Sequence, residues 1–571
     1  GTREVTGSSA SANSTRNQKI AGQCAQPRIQ PPMIGATAGA MPKIIDTWLI
    51  SRCASSPCST SRITARPTTR PTPALNPCSA RNPSSIGSEV DSAGGDIDAE
   101  GTATGAGGAG VSLYAAQLVG GAGDVTVTGT ATAGIGIAMA NGSSVSTTPG
   151  AIGLYGNGAD FGLDIADGAL DTDSGDITLD GTATAATAIA GVRVTGPGLV
   201  TNGGDITVTG TSAGGVGVQL GDGTAFAIGS GGGAITIDGT GIDAGVLMQG
   251  NQVASGGGAV SIIGTGTTTG VSLSGSDIDS AGGGIDVQGE ASGSGVGIDL
   301  SNARLTAGVG DIRLFGDAAL GTGVNFAGQS GVSTTTGDIS ITGIGASIGL
   351  DVAGGELATD SGHINLRGRG TSSGAIGLRI GLGVDIATDG GGIELSGQGN
   401  AAAGLLIGDG ASVDAGDSLI VLRATSTSPT DTIDIRGSIH SGVGVNLRPG
   451  GVDLQGGLTE ATGDTIYLGS GSGGVVLSDA ELALIDTPEL IIGSNLHAGA
   501  IQVLGGINRD GNLTLQNSGG SGGISVKAAL DVGDGNLALS SGGSITQTSA
   551  GVIRAHSLLA QAGGAVLLAT A

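Results

Sequence analysis

SGDITLDGTATAATAIAGVRVTGPGLVTNGGDITVTGT, residues 174–211, opens on Gly175-Asp176-Ile177-Thr178-Leu179. It closes on nearly the same phrase, Gly204-Asp205-Ile206-Thr207-Val208. Between them lies a second phrase, Gly191-Val192-Arg193-Val194. In both phrases apolar residues flank a polar one, the period-two pattern of a strand with one buried face.

Both phrases recur outward from this stretch. The first apolar residue of the Gly-apolar-x-apolar phrase falls at Val111, Ile137, Leu163, Val192, Val218, Val246, Val271, Ile298, Val324, Leu350, Leu378 and Leu405, at nearly even intervals. The Asp-Ile-Thr phrase keeps the same register at Val125, Ile177, Ile206, Ile235, Val260, Ile285, Ile312, Ile339, Ile364 and Ile393, with a weaker copy at Ile152. A third, weaker strand fits Leu199–Thr201. Two or three short strands in about 27 residues make one coil of a parallel β-helix; a propeller blade needs about 40–45 residues. The fold class read here is all-β, a β-solenoid with coils of about 21–29 residues. Equivalent residues must then stack in lines, Thr178, Thr207, Thr236 and Ser261 outward, Val192, Val218, Val246 and Val271 inward.

Composition agrees. Glycine contributes 118 of 571 residues without a collagen period, and aromatic residues only 1%. A core without aromatic volume requires narrow, layered geometry. Residues 1–90 stand apart. They hold ten Lys or Arg against three acids, ten of the fifteen prolines, and all four cysteines, Cys24, Cys53, Cys58 and Cys78. No period runs through them, so little regular structure is predicted before residue 91. Two readings stand for this segment: a disordered stretch, or out-of-frame translation of a GC-rich gene. The cysteine spacings and the lack of a nearby His do not fit zinc.

Four regions result: the irregular segment 1–90, regular coils over 91–425, an irregular coil or inserted loop over 426–480, and shorter coils over 481–571. The third is marked by a long gap between Leu405 and the next such phrase, Val445-Asn446-Leu447. The chain starts at Gly1 and stops within a strand-like run, so a fragment is expected.

In the last region Gly511-Asn512-Leu513-Thr514-Leu515 is echoed by Gly535-Asn536-Leu537-Ala538-Leu539. Ile524, Ile545 and Val566 follow one another at equal, shorter intervals. The runs ELALIDTPELIIGSNLHAGAIQVLGGINRDGNLTLQN and GNLALSSGGSITQTSAGVIRAHSLLAQAGGAVLL resemble the repeat region of the filamentous-haemagglutinin family of bacterial exoproteins. The resemblance covers the region 481–571. It implies a right-handed parallel β-helix, two-partner export through an outer-membrane pore, a secreted or cell-surface location, and adhesion to a glycan or protein of a host or bacterial surface. The family's N-terminal secretion domain is absent, and autotransporter passengers and purely structural stalks share the texture.

The residues offer little chemistry, and no catalytic, cofactor or metal site is assigned. Gly105-Ala-Gly107-Gly-Ala-Gly110 matches a dinucleotide fingerprint only as a string. Gly120-Gly121-Ala-Gly123-Asp124 resembles a calcium nonapeptide but occurs once per coil; Asp96, Asp124, Asp176, Asp205, Asp311 and Asp338 read as turn residues bonding their own backbone. His363, His440, His497 and His556 lie far apart. Arg367, Arg369 and Arg379 form the one basic cluster, near Asp351, Asp360 and Asp385, and a polysaccharide-active enzyme is the rival class. The net charge of −26, with −33 after residue 90, disfavours nucleic acid as a partner. No apolar run is long enough for a transmembrane segment.

Overall fold

The computed structural model describes residues 47–51, 60–65, 89–224, 226–427, 432–460, 463–519 and 522–569. Residues 45–571 form one compact unit. The cysteines, and Pro429 of the expected loop, lie outside the described residues.

The unit is an all-β parallel solenoid of 18 coils. Face 1 is a continuous ladder that begins at Ile97–Ala103 and runs through Val125–Ala131, Ile152–Gly158 and Ile177–Ala183 to Ser557–Ala562. Face 2 carries the Gly-apolar-x-apolar strands, such as Ala190–Val194 and Val216–Leu220. Face 3 carries the short third strands, such as Gly198–Thr201. In the second and third coils faces 2 and 3 merge into the single bent strands Gly134–Thr147 and Phe161–Thr172. At about 4.8 Å per coil, the rod is roughly 85 Å long.

Alternation places the core. In Ile177–Ala183 every odd residue is buried, and the even ones reach solvent in part or in full. Each coil thus contributes two apolar residues per face-1 strand to a core only a few side chains wide. Thr178 pairs with Thr207, Thr207 with Thr236 and Thr236 with Ser261. Val192, Val218, Val246 and Val271 form the inward line in the same way.

Two glycine columns explain much of the composition. Gly181, Gly210 and Gly239 stack in face 1, while Gly191, Gly217 and Gly245 stack opposite them in face 2. A Cβ on Gly181 would lie 2.3 Å from the Gly191 carbonyl oxygen. Here the backbones of the two faces touch, and no side chain fits between them.

Polar ladders tie the corners between coils. Buried Thr201 donates its hydroxyl to Gly175 O at 3.0 Å and accepts from Gly204 N at 3.0 Å. The turn aspartates differ from expectation. Their carboxylates accept from the backbone of the following coil: Asp176 from Asp205 N at 2.8 Å, Asp205 from Ala234 N at 2.7 Å, and Asp338 from His363 N at 2.8 Å. Stacking puts the next coil's N–H closer than the residue's own turn.

The described residues before 89 lie in two strands. Thr47–Ser51 and Thr60–Ala65 form an antiparallel hairpin whose second strand pairs with Ile97–Ala103 of the first coil. It occupies the open hydrogen-bonding edge of the solenoid. This pairing is carried by backbone groups, so it leaves no period in the sequence.

The gap after Leu405 has a different origin from the one its spacing implied. Val445 pairs with Ile420 of face 1, so its phrase is not a face-2 strand. The face-2 successor of Leu405 is Ile433, one coil on, preceded by Thr432 where the phrase has Gly. The true interruption follows. Faces 1 and 3 pass directly from Val445 to Leu490 and from Ile439 to Ile485. Residues between Leu447 and Leu484 are inserted there. Within them Ile466–Leu468 and Val475–Leu477 start a new face-2 ladder, which continues through Ile501, Ile524, Ile545 and Val566. A helical turn, Asp479–Leu482, is fixed by a capping box between Ser478 and Glu481. The same Glu481 accepts from Ile435 N at 3.2 Å, closing the edge of the old face-2 ladder.

Candidate functional site

The insertion begins with the one large departure from the repeat. Gly444–Val452 leaves face 1, turns at Asp453 and returns antiparallel as Leu458–Glu460, with Val452 opposite Leu458. Asp453 sets the turn: its carboxylate accepts from Gln455 N at 2.9 Å and Gly457 N at 2.7 Å. Gly456 takes a positive φ of 78° there. The hairpin lies back over the outer surface of face 1 and buries it. Thr342, Ile344 and Ser396 occupy outward positions that are at least partly exposed in most other coils, and all three are buried.

Arginines under the hairpin hold it. In the face-1 register Arg367 stacks on Ser396, Ser396 on Arg423, and Arg423 on Arg448, while Arg369 stacks on Gln398. Arg367 donates to Gly456 O at 3.3 Å, and Arg369 to Val452 O at 2.6 Å. Gln398 accepts from both Arg369 Nη1 and Val452 N at 3.2 Å. Arg423, 8% exposed, donates through Nε to Glu394 at 2.6 Å and through Nη1 to Glu460 on the returning strand. Burial, and then the like charge of Arg423, pull the Arg448 guanidinium below its ordinary pKa, against the attraction of Glu460 and Glu394. Of twelve Lys and Arg after residue 90, four therefore meet beneath one hairpin.

The basic cluster read from sequence divides between faces. Arg367 and Arg369 belong to face 1. Arg379 belongs to face 2, where it pairs with Asp351 of the preceding coil through Nε at 2.7 Å and through Nη2. Asp385 begins the face-3 strand Asp385–Thr388, and Asp360 follows the face-3 strand Glu356–Thr359; both are exposed. Arg423 and Arg448, two and three coils beyond Arg367, were missed; a map of outward positions in register would have aligned them.

Elsewhere some outward charges bond between coils and others do not. Arg193 makes a bidentate pair with Asp164 at 2.8 Å and lies 4.3 Å over the Phe161 ring. Glu290 and Asp317 are neighbours on adjacent coils. Partial burial, and then the Glu290 charge, raise the Asp317 carboxyl above its ordinary pKa. His363 accepts from Gly392 N at 2.9 Å, and His440 contacts Asp486 at 3.0 Å. His497 is buried and His556 exposed. Among the described residues, no three His, Cys, Asp or Glu converge on a metal-sized site, and no helix is long and apolar enough to cross a membrane. Gly105–Gly110 runs from a turn into the face-2 strand Gly108–Tyr114, and no helix follows to bind a pyrophosphate.

No protein-family model matches this sequence, and no curated protein matches it.

Proposed function

We propose that this chain is the rod of an exported bacterial surface protein of the filamentous-haemagglutinin kind, and that it attaches the cell to a glycan or protein of another surface. One observation carries the reading. The outward positions of 18 stacked coils form long, regular columns, in which some charges bond from coil to coil, as Arg193 does to Asp164 and Arg379 to Asp351. Such a surface suits extended contact more than chemistry at one point. The acidic, cysteine-free solenoid also suits export as an unfolded chain through an outer-membrane pore, where disulfides would obstruct threading.

The test is twofold. Protease applied to intact producing cells should remove the chain, and the purified full-length chain should coat target surfaces and block attachment of those cells. A chain protected inside intact cells, or one that neither binds nor blocks, overturns the proposal.

A polysaccharide-active enzyme has one observation in its favour: the stacked Glu290 and Asp317, with the raised Asp317 carboxyl, lie on the same strands as Gln288 and Phe315. Glycosidases flank the scissile bond with two carboxyls, whereas these two project from one face in the same direction. Depolymerisation of an acidic or neutral polysaccharide that is lost in Asp317→Asn would favour the enzyme.

A further inference from the structure

At one corner between faces 2 and 3 the coils leave a cleft. Two neighbouring corners there are long, with four residues each, 381–384 and 408–411. The corner before them, 353–355, has three residues, and the corner after them, 436–437, has two. Gly383 and Gly410 both take a positive φ of 69°, so the two long loops share one turn. They stand proud of their neighbours and carry Leu382 and Asp409 outward. Beside them opens a cleft of about 400 Å³, lined by Ala353, Arg379, Leu382, Leu406 and Asp409. That is the size of a small-ligand site. Asp351, Arg379 and Leu406 follow one another in a single face-2 column across three coils.

The fold does not use up the polar groups of this cleft. Arg379 gives Nε and Nη2 to Asp351, and its Nη1 has no bond among the described residues. Asp409 is exposed, and its carboxylate bonds no described residue either. Leu382 is 76% exposed, more than any other large apolar side chain described. Leu406, partly exposed, is an apolar residue between Arg379 and Asp434 in its column. Charge and backbone narrow the ligand. Asp351 balances Arg379, so Asp409 leaves the cleft with a net negative charge that repels acids. Peptides are taken up by a free sheet edge, a helix-sized apolar groove or an aromatic-lined one. Here the strands Ile376–Ile380 and Leu405–Ile407 are paired on both sides, and no aromatic residue lines the cleft. A saccharide matches what remains, because its hydroxyls both donate and accept while its C–H face is apolar. We propose that this cleft binds one uncharged sugar unit of a surface polysaccharide. Asp409 accepts from its hydroxyls, Arg379 Nη1 donates to them, and Leu382 and Leu406 pack against its C–H face. The proposal rests on the adhesin reading, whose glycan partner it makes specific.

Affinity electrophoresis of the full-length chain tests it, in gels holding dextran, laminarin, galactomannan or arabinoxylan, each read against a blank gel. At least one of these neutral polysaccharides should retard the chain, and polygalacturonate should not. Leu382→Glu and Asp409→Ala should each weaken that interaction by about tenfold. Ile242→Glu, a new charge at an exposed apolar residue on another corner, should leave it unchanged. All three positions are exposed, so the fold should persist. Should one cleft variant melt early, the other decides. Retardation by none of the four, retardation by polygalacturonate or gelatin instead, or full retardation of a folded cleft variant overturns the proposal. Blocking of cell attachment, scored on the same preparations, separates the two readings. A parent chain that binds sugar without blocking overturns the adhesin and leaves the cleft, and one that blocks while no polysaccharide retards it does the reverse.

Discussion

Glycine at the fifth position of each face-1 strand, and glycine before the apolar pair of each face-2 strand, set how closely the two faces approach. The columns hold from Gly101 to Gly397 and end where Ala424 and then Pro449 take the face-1 position. The hairpin departs in that same coil. Inward and outward positions should therefore differ sharply in tolerance. Ile235 is fully buried, so Ile235→Asp places an unpaired charge in a narrow core and should cost several kcal/mol. Thr236→Asp, one residue on and facing out, should cost under about 1 kcal/mol by the same reasoning. Equal loss from both in thermal unfolding would contradict the facing. Asp317 supplies a pH test. Its folded pKa is raised by burial and then by Glu290, so the folded state holds that proton more tightly than the unfolded chain. Stability from this group then falls as pH rises from the unfolded value through the folded one. Asp317→Asn should raise the melting temperature at pH 7, and the gain should disappear once pH falls below the ordinary carboxylate range.

The hairpin 444–460 is the element least like the rest of the rod. Its docking rests on backbone carbonyls received by Arg367 and Arg369 and on one ion pair, Arg423 with Glu460. That pair is largely buried on the arginine side, with side-chain exposures of 10% and 28%. Glu460→Gln leaves half of the Arg423 fork short of charge and should weaken docking by about 1–3 kcal/mol. Faster hydrogen exchange at 450–460, with unchanged exchange at Ile339–Gly345 below it, is the expected outcome. Unchanged exchange at the hairpin would show that the carbonyl contacts suffice. The one-turn helix Asp479–Leu482 works differently. Four residues cannot hold a helix alone, and its capping box exists because Glu481 is also fixed by the Ile435 backbone.

Across the whole molecule, stability is close to a sum of coil and interface terms. The insertion divides that sum unevenly: face 1 runs unbroken from coil 14 to coil 15, whereas the earlier face-2 ladder ends at Ile433–Ile435 and the earlier face-3 ladder at Ile485, with Ile507 starting a separate one. Register is the property on which the rod depends. Thr207 and Thr236 are direct partners on adjacent coils, whereas Thr207 and Ser261 are two coils apart. Cysteines placed at 207 and 236 should crosslink under mild oxidation, and those at 207 and 261 should not, since a disulfide spans at most about 7 Å between Cα atoms. Crosslinking of the distant pair alone would overturn the parallel coil register.

Sequence by itself determined the solenoid, because each coil repeats the same solution to one problem. Ile-Thr-Leu and Val-Arg-Val alternate where one face is buried, glycine stands where backbones touch, and equal spacing means equivalent residues stack. These are local rules, legible in Ser174–Thr211 alone. Tertiary structure decided the rest, where partners lie far apart along the chain or bond through backbone. Arg367 meets Gly456 across 89 residues, and Arg423 meets Glu460 across 37. Neither separation is a multiple of the coil that a repeat search would align. Ile433 lost its glycine signal and Val445 borrowed the phrase of another face. Position in the stack assigns both strands, because a parallel ladder recognises register through backbone hydrogen bonds and not through the residue that happens to precede the strand.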